Sequence, residues 1–399
     1  MVVKSDQPNV FSWNAAEAEN WSNAANWTKN LTDKMPPKIT GEPDYLRSFN
    51  QPGAQPIKND FPAGFLLNQL LLGDRCGGLI LSGNALIFTS QSAQHIPPAI
   101  VAGKCQRVDT NFPITLGEDL TVRTSAERDP NCFSRFNEAI TGAHALILDS
   151  PGDPDVVKIN FHDVHFGILQ INHSNTYSGG TQINGGKINV RKADGLGTGP
   201  VSLNHFNTLS TENILPNPLM INQGTLFHCA LSGPIVLKSI ANVIGNCTVS
   251  GGMSGTGGFT FLGTNGNYLS MKPGGTVTLE GTTTYTGATT IFHGTLIVKK
   301  LASLYNGDPA QWTPANLTVH QVATLRLYLG GPGEFTGEQI GTLLENLTRS
   351  INQNGLMGGA MVRSIPLPLR KSSRFWPLSL MGKAPAVARL SSRNAEPVA

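Results

Sequence analysis

The side chains best suited to chemistry are the acids and histidines of residues 149–165. Two carboxylates on one face of a fold can act as acid and base on a glycosidic bond, and carboxylates that hold a cation suit lyase chemistry. The candidate catalytic residues are Asp153, Asp155 and Asp163. Residues 151–154, Pro-Gly-Asp-Pro, also have the composition of an ordinary turn, and Asp163 fits the solvent side of a strand. We favour this second interpretation and keep catalysis as the alternative.

Other reactive side chains show no ligand spacing. The five cysteines are odd in number and widely separated, without a C-x-x-C pair, and the remaining histidines are scattered. Structural zinc sites need four closely spaced Cys or His ligands. We therefore expect single cysteines that are buried in the core or half-exposed, with a bridge between Cys229 and Cys247 as the alternative. The sequence predicts no metal, no cofactor and no enzyme activity.

Three of the five tryptophans, Trp13, Trp21 and Trp27, lie in an otherwise polar segment. Large aromatic rings must be buried somewhere, and the open end of an elongated fold needs a cover. We predict that they belong to an N-terminal cap. The alternative is an aromatic platform that binds carbohydrate.

The elements that would position these residues are short repeated strands. Residues 167–203 match residues 275–304 at a constant offset of 108, which aligns Tyr177 with Tyr285. Apolar and polar residues alternate between glycine turns, which is typical of short strands stacked in a solenoid. The interval of 108 residues is predicted to hold about five coils of roughly 20 to 25 residues each. On this basis residues 61–330 are predicted to form on the order of a dozen coils. Six threonines of the second copy are predicted to face outward in hydroxyl ladders: Thr282, Thr283, Thr284, Thr286, Thr289 and Thr290.

Composition and pattern divide the chain into four parts. Residues 1–60 form a tryptophan-containing cap followed by an irregular segment, and residues 61–330 form the solenoid. Residues 331–365 contain an amphipathic helix that begins with a Thr336–Gln339 capping box. Residues 366–399 are basic, aperiodic and predicted to be disordered. The net charge of +3 is concentrated in that tail, so the body gives no electrostatic case for a nucleic-acid partner. No stretch is long and apolar enough for a transmembrane segment.

The repeat carries a family resemblance. Its first copy reads NTYSGGTQINGGKINV and then ADGLGTGPVSL, and the second keeps TYTGATTIFHGTLIV. This resembles the autotransporter-associated β-strand repeat of large bacterial surface proteins, including those of planctomycete and verrucomicrobial bacteria. The positions that carry it are Asn175, Tyr177, Gly179, Gly180, Thr181 and Gly186 in the first copy and Tyr285, Gly287, Thr289 and Gly294 in the second.

The resemblance implies an all-β fold, a right-handed single-stranded parallel β-helix with a short C-terminal capping helix. It also implies a passenger domain at the cell surface or secreted from the cell, with cell-envelope components or extracellular glycans as partners. The start of the chain has no apolar signal region, so export is an expectation from the family alone. We expect a non-enzymatic structural or adhesive role. The alternative is a polysaccharide-binding or polysaccharide-cleaving β-helix that uses residues 149–165.

Overall fold

The computed structural model shows an all-β protein built from stacked parallel strands. It describes residues 9–15, 19–29, 38–49, 57–73, 77–90, 96–103, 106–124, 133–150, 167–205, 207–263, 274–348, 355–357, 360–366 and 374–376. The chain passes from a first sheet to a second and then to a third side before returning to the first. Each coil therefore has three sides, and the predicted parallel β-helix is confirmed.

The first and second sheets each contain twelve strands. In chain order, the strands of sheet 1 are Asn9–Trp13, Trp27–Lys29, Tyr45–Phe49, Gln69–Leu72, Ala99–Ala102, Leu120–Arg123, Leu146–Asp149, Thr181–Gly185, Val201–Leu203, Leu219–Ile221, Ile235–Leu237 and Met253–Gly255. Those of sheet 2 are Ile57–Asn59, Gly77–Gly83, Gln106–Asn111, Phe133–Phe136, Ile168–Ile171, Lys187–Val190, Thr208–Thr211, Gly224–Phe227, Ala241–Ile244, Phe259–Phe261, Thr289–Ile291 and Leu317–Val319.

The third side consists of two sheets joined by irregular backbone. Sheet 3 contains Phe65–Leu67, Leu86–Phe88, Ile114–Leu116 and Ile140–Gly142. Sheet 4 contains Ile214–Leu215, Ala230–Leu231, Cys247–Val249, Thr276–Leu279, Gly294–Val298, Ala323–Leu329, Met361–Pro366 and Arg374–Trp376. Between them, the Ser178 amide donates to the Gly142 carbonyl and the Thr198 amide donates to the Tyr177 carbonyl. The coils thus remain hydrogen-bonded where no strand is assigned.

The interior is filled by side chains from every coil. Alternate residues of the strands point inward, which gives the repeated pattern of buried and partly exposed positions expected for strands with one solvated face. The buried apolar residues form one cluster that runs from Phe11 to Val362. Because this core is continuous, the described chain leaves only its outer faces for contacts with other molecules.

The N-terminal part is more regular than predicted. Residues 31–60 were expected to be irregular, yet Tyr45–Phe49 and Ile57–Asn59 are strands of the first two sheets. The strand Asn9–Trp13 pairs in parallel with Tyr45–Phe49 on one side and in antiparallel orientation with Trp27–Lys29 on the other. The strand Tyr-Leu-Arg-Ser-Phe was missed because proline-rich and charged segments flank it and its central position is a charged residue.

The C-terminal part ends the solenoid with the predicted helix and an additional strand pair. The helix spans Gly337–Thr348 and buries Leu343 and Leu347. Its capping box is present, because the Gln339 amide donates to Thr336 Oγ1 at 3.2 Å and the Thr336 amide donates to Gln339 Oε1 at 2.9 Å. Beyond it, Arg374–Trp376 pairs in antiparallel orientation with Met361–Pro366. The segment 366–399, predicted to be disordered, therefore contains a strand at those three residues.

The two repeat copies lie on different sides of the solenoid. Thr181 begins a strand of sheet 1, whereas its repeat equivalent Thr289 begins a strand of sheet 2. Successive pairings lead from Thr181 through five coils to Thr283, and Thr289 follows on the next side. The offset of 108 residues therefore equals five coils and one further side.

Coil lengths and threonine orientation also differ from prediction. Paired residues in sheet 2 at Thr208, Thr225, Asn242 and Thr260 are 17, 17 and 18 residues apart, so these coils are shorter than the predicted 20 to 25 residues. Thr289 is fully buried, as is Thr283. Neither faces outward as predicted, because both hydroxyls fill polar positions inside the coil. Thr282, Thr284 and Thr286, by contrast, are exposed, in agreement with the prediction.

Candidate functional site

The predicted acid and histidine site lies almost entirely outside the described residues. Asp149 is its one described acid or histidine, and Asp149 Oδ2 accepts hydrogen bonds from Arg123 Nε at 3.1 Å and Nη2 at 3.0 Å. This is an ordinary ion pair between neighbouring strands of sheet 1. Asp153, Asp155 and Asp163 lie outside the described residues, so their catalytic role stays a prediction.

The three N-terminal tryptophans are buried rather than displayed. Trp13, Trp21 and Trp27 are each at most 1% exposed. Trp27 contacts both other indoles edge-on, with ring centroids 4.9 and 5.9 Å apart, and its Nε1 donates to the Trp21 carbonyl at 2.8 Å. A platform for sugar stacking needs an exposed ring face, and these rings have none. They fill the first coils of the solenoid.

A buried arginine lies among these rings. The guanidinium carbon of Arg47 is 4.2 Å from the ring centroid of Trp27 and 4.7 Å from that of Phe11. Among the described residues, none of its three side-chain nitrogens has a hydrogen-bond partner, and burial lowers the pKa of Arg47 to about 9. The ring faces are thus the main compensation for removing this charge from water.

The repeat motif joins neighbouring coils through buried polar groups. Asn175 Oδ1 accepts from the Ile140 amide at 2.7 Å on one neighbouring coil, and its Nδ2 donates to the Gly195 carbonyl at 2.6 Å on the other. The Tyr177 hydroxyl lies 2.6 Å from Thr181 Oγ1. Burial raises the pKa of Tyr177, which keeps the phenol protonated as a hydrogen-bond donor. These residues therefore stabilise the coil interior.

The same geometry recurs in the second copy. The Tyr285 hydroxyl lies 2.6 Å from Thr289 Oγ1, which is also 2.8 Å from the Tyr305 hydroxyl. Tyr305 has a positive φ of 51°, at the position where the first copy has Gly197 with a φ of 65°. Its hydroxyl reaches the Asn316 carbonyl at 2.6 Å. The second copy thus replaces the glycine of the first with an inward ring.

The motif glycines lie at positions where a side chain would clash with the backbone of a neighbouring coil or would be strained by a positive φ. A Cβ on Gly179 would lie 2.2 Å from the His144 carbonyl carbon, and one on Gly287 would lie 2.4 Å from the Gly257 carbonyl carbon. Gly180 would meet the Pro200 carbonyl oxygen at 2.6 Å. The first glycine of the motif therefore allows adjacent coils to approach closely. Gly186 and Gly294 adopt positive φ values of 91° and 80°, which an L side chain would oppose.

A polar groove lies on the outside of sheet 2, remote from the predicted sites. It has a volume of about 520 Å³ and is open to solvent along one side. Two neighbouring rows of outward side chains form it, one along the strands and one at the corner where the strands end. The groove is lined by Arg135, Gln170, Asn172, Arg191, Lys192 and Glu212.

Side-chain amides are fixed along the corner row. Asn172 Nδ2 donates to Asn137 Oδ1 at 2.6 Å, and Asn137 Nδ2 donates to Asn111 Oδ1 at 2.7 Å. Gln170 Nε2 donates to Asn172 Oδ1 at 2.7 Å. Each amide is therefore held by a neighbour on the same or the next coil, so the polar floor of the groove is preorganised.

Basic side chains lie along the same surface. Arg135 Nη1 is 3.4 Å from Asp109 Oδ1, and its guanidinium carbon is 4.3 Å from the Phe133 ring centroid. The buried Nε of Arg135 has no hydrogen-bond partner in the part of the chain that the structure describes. Arg191 Nη2 lies 3.2 Å from Glu212 Oε1, but both side chains are about half exposed, so the pair is weak.

The balance of charge in the groove favours an anion. Three of the six lining side chains are cationic and one is a carboxylate. Guanidinium groups bind carboxylates through paired N–H donors, and amides bind hydroxyls. Hydrolysis of a glycoside needs two carboxylates across the scissile bond, and Glu212 alone cannot supply both roles. This surface is suited to binding rather than to cleavage.

Comparison of the chain with models of protein families, with curated proteins and with solved structures gave no match. Within the described ranges, no three His, Cys, Asp or Glu side chains are grouped as metal ligands. No helix in that part of the chain is long and apolar enough to cross a membrane.

Proposed function

We propose that this chain is a non-catalytic β-helix of the cell surface or extracellular space, with a structural or adhesive role. It would act as a passenger domain of the kind implied by the resemblance to the autotransporter-associated β-strand repeat. The observation that carries the proposal is the single continuous core from Phe11 to Val362, which fills the interior and leaves the outer faces for contacts.

The roles of the repeat residues support this proposal. Asn175, Tyr177 and Thr181 are buried and bonded to neighbouring groups, so the motif builds the solenoid and supplies no reactive group. A protein whose most regular residues serve stacking presents a long, rigid surface. Such a surface suits repeated contacts with an extended partner, for which cell-envelope components and extracellular glycans are the expected class.

Binding and product formation should be measured together on the full chain. Cosedimentation with isolated cell-envelope polysaccharide reports adhesion, and a reducing-end assay on the same sample reports cleavage. We expect binding without new reducing ends. Product formation would contradict a non-catalytic role, and the variant D153N/D155N/D163N would then show whether the alternative acidic site is responsible. Absence of binding to every envelope fraction would contradict the adhesive role.

A further inference from the structure

The groove on sheet 2 combines cationic side chains with side-chain amides. We infer that it binds the carboxylate groups of an acidic, uronate-containing polysaccharide, with Arg191 and Lys192 as the principal anion contacts. The inference rests on the proposed adhesive function and adds to it a site and a ligand class.

The first argument is the state of the cationic groups. Arg191 and Lys192 are exposed, and within the described ranges the Arg191 side chain is held by the weak pair with Glu212. The Arg135 side chain is 28% exposed and is oriented by Asp109 and the Phe133 ring. Charged donors without strong internal partners can form charge-assisted hydrogen bonds to a ligand at little cost in broken contacts.

The second argument is the arrangement of the donors along the solenoid. Asn137, Asn172, Arg191 and Glu212 follow one another at the corner row on four consecutive coils. Coils in a parallel sheet are stacked about 4.8 Å apart, which is close to the length of one sugar in an extended polysaccharide. A chain lying along this row would meet amides, which bind hydroxyls, and then a guanidinium, which binds a carboxylate.

The third argument is the shape of the groove. It is largely open to solvent, whereas sites for small ligands usually bury most of the ligand surface. An open groove accommodates an internal segment of a polymer, whose two ends continue past the site. This favours a polysaccharide over a free anion such as a single sugar acid.

The repeat supplies a matched control. Arg191 and Lys192 correspond to Lys299 and Lys300 in the second copy, at the same offset of 108. Lys299 pairs with Glu280 across neighbouring coils, as Arg191 pairs with Glu212. The second-copy residues follow a strand of sheet 4 rather than sheet 2, so they lie at a different corner. The variants R191Q/K192Q and K299Q/K300Q remove the same charge from equivalent motif positions.

Calorimetric titration of the full chain with oligogalacturonate tests the inference, with its methyl ester, a neutral glucan and single-stranded DNA as comparison ligands. We expect oligogalacturonate to bind, the ester to bind weakly and added salt to weaken the interaction. R191Q/K192Q should reduce affinity about tenfold or more, since one charge-assisted hydrogen bond accounts for about that factor. K299Q/K300Q should change affinity by less than about twofold. Circular dichroism should confirm that both variants are folded.

Four results would overturn the inference. Equal affinity for the acid and its ester would show that carboxylates are not recognised, although glycan adhesion as such would stand. Equal affinity for DNA, or equal loss in the two double variants, would indicate general attraction of polyanions. No binding of oligogalacturonate would remove the assigned ligand, while envelope cosedimentation would separately decide the adhesive proposal.

Discussion

The buried tyrosines of the two repeat copies offer a direct test of what the motif contributes to stability. In Y177F the ring remains, but Thr181 Oγ1 loses its partner at 2.6 Å and keeps only the Leu196 carbonyl at 3.5 Å. In Y285F, Thr289 Oγ1 keeps the Tyr305 hydroxyl at 2.8 Å. The same substitution therefore leaves the buried Thr181 hydroxyl with one long hydrogen bond in the first copy and the buried Thr289 hydroxyl with one of normal length in the second.

The magnitudes follow from the cost of unsatisfied groups. A typical hydrogen bond contributes about 1 kcal/mol net, and leaving a buried group unpaired costs roughly 1 to 3 kcal/mol. We expect Y177F to destabilise its coil by about 2 kcal/mol and Y285F by about 1 kcal/mol. Because solenoids open locally, hydrogen exchange of peptides covering Thr181–Gly185 and Thr289–Ile291 is the appropriate measurement.

A third variant tests the reason for this difference. Y305F alone removes the second partner of Thr289, and in that background Y285F should become about as costly as Y177F. A Y285F variant that is as destabilised as Y177F in the presence of Tyr305 would refute the reasoning. So would additive effects of Y285F and Y305F, because the shared hydroxyl of Thr289 requires coupling.

Three further predictions concern other parts of the fold. R47M should raise the melting temperature, with a gain of about 1 to 4 kcal/mol, because it removes a buried charge that has no hydrogen-bond partner among the described residues; a lower melting temperature would mean that the ring contacts outweigh desolvation. G179A should destabilise the protein in a urea titration because its Cβ would overlap backbone of the next coil, whereas G341A, with open space in the helix, should stabilise it by about 1 kcal/mol; equal shifts would contradict this. Cys229 and Cys247 are free and adjacent, with the Cys229 amide 3.2 Å from Cys247 Sγ, so diamide should join them in a C76S/C105S/C132S background, as peptide mass spectrometry would show; persistent free thiols at both positions would exclude the bridge.

Local sequence patterns predicted the architecture because each rule they use is itself local. Inward and outward positions alternate with a period of two, so Leu169 and Ile171 were recognisable as core residues. The helix cap depended on two residues three apart, Thr336 and Gln339, and was equally visible. Local patterns could not predict the burial of Arg47. Its charge is accommodated inside the coil by aromatic rings that come from distant parts of the chain.

The groove could not be predicted because insertions of different length separate its parts. Asn111, Asn137 and Asn172 form one ladder, yet they are 26 and 35 residues apart. A fixed period would have revealed the ladder as a stripe in the sequence. Since coil length varies, only the strand register brings these amides together, and the register depends on which coil each insertion lengthens.

The two repeat copies show most clearly why local sequence does not determine position on the solenoid. The motif requires an inward tyrosine, a threonine four residues later and a close approach to the next coil, and more than one side of the coil can provide these. Tyr177 therefore lies on the third side and Tyr285 on the first, each followed by its threonine at the same distance. As a consequence, Lys192 lines the groove while its repeat equivalent Lys300 lies at another corner. A ligand site beside the first copy is thus not repeated beside the second, and any binding that used both copies would have to wrap around the solenoid rather than follow its axis.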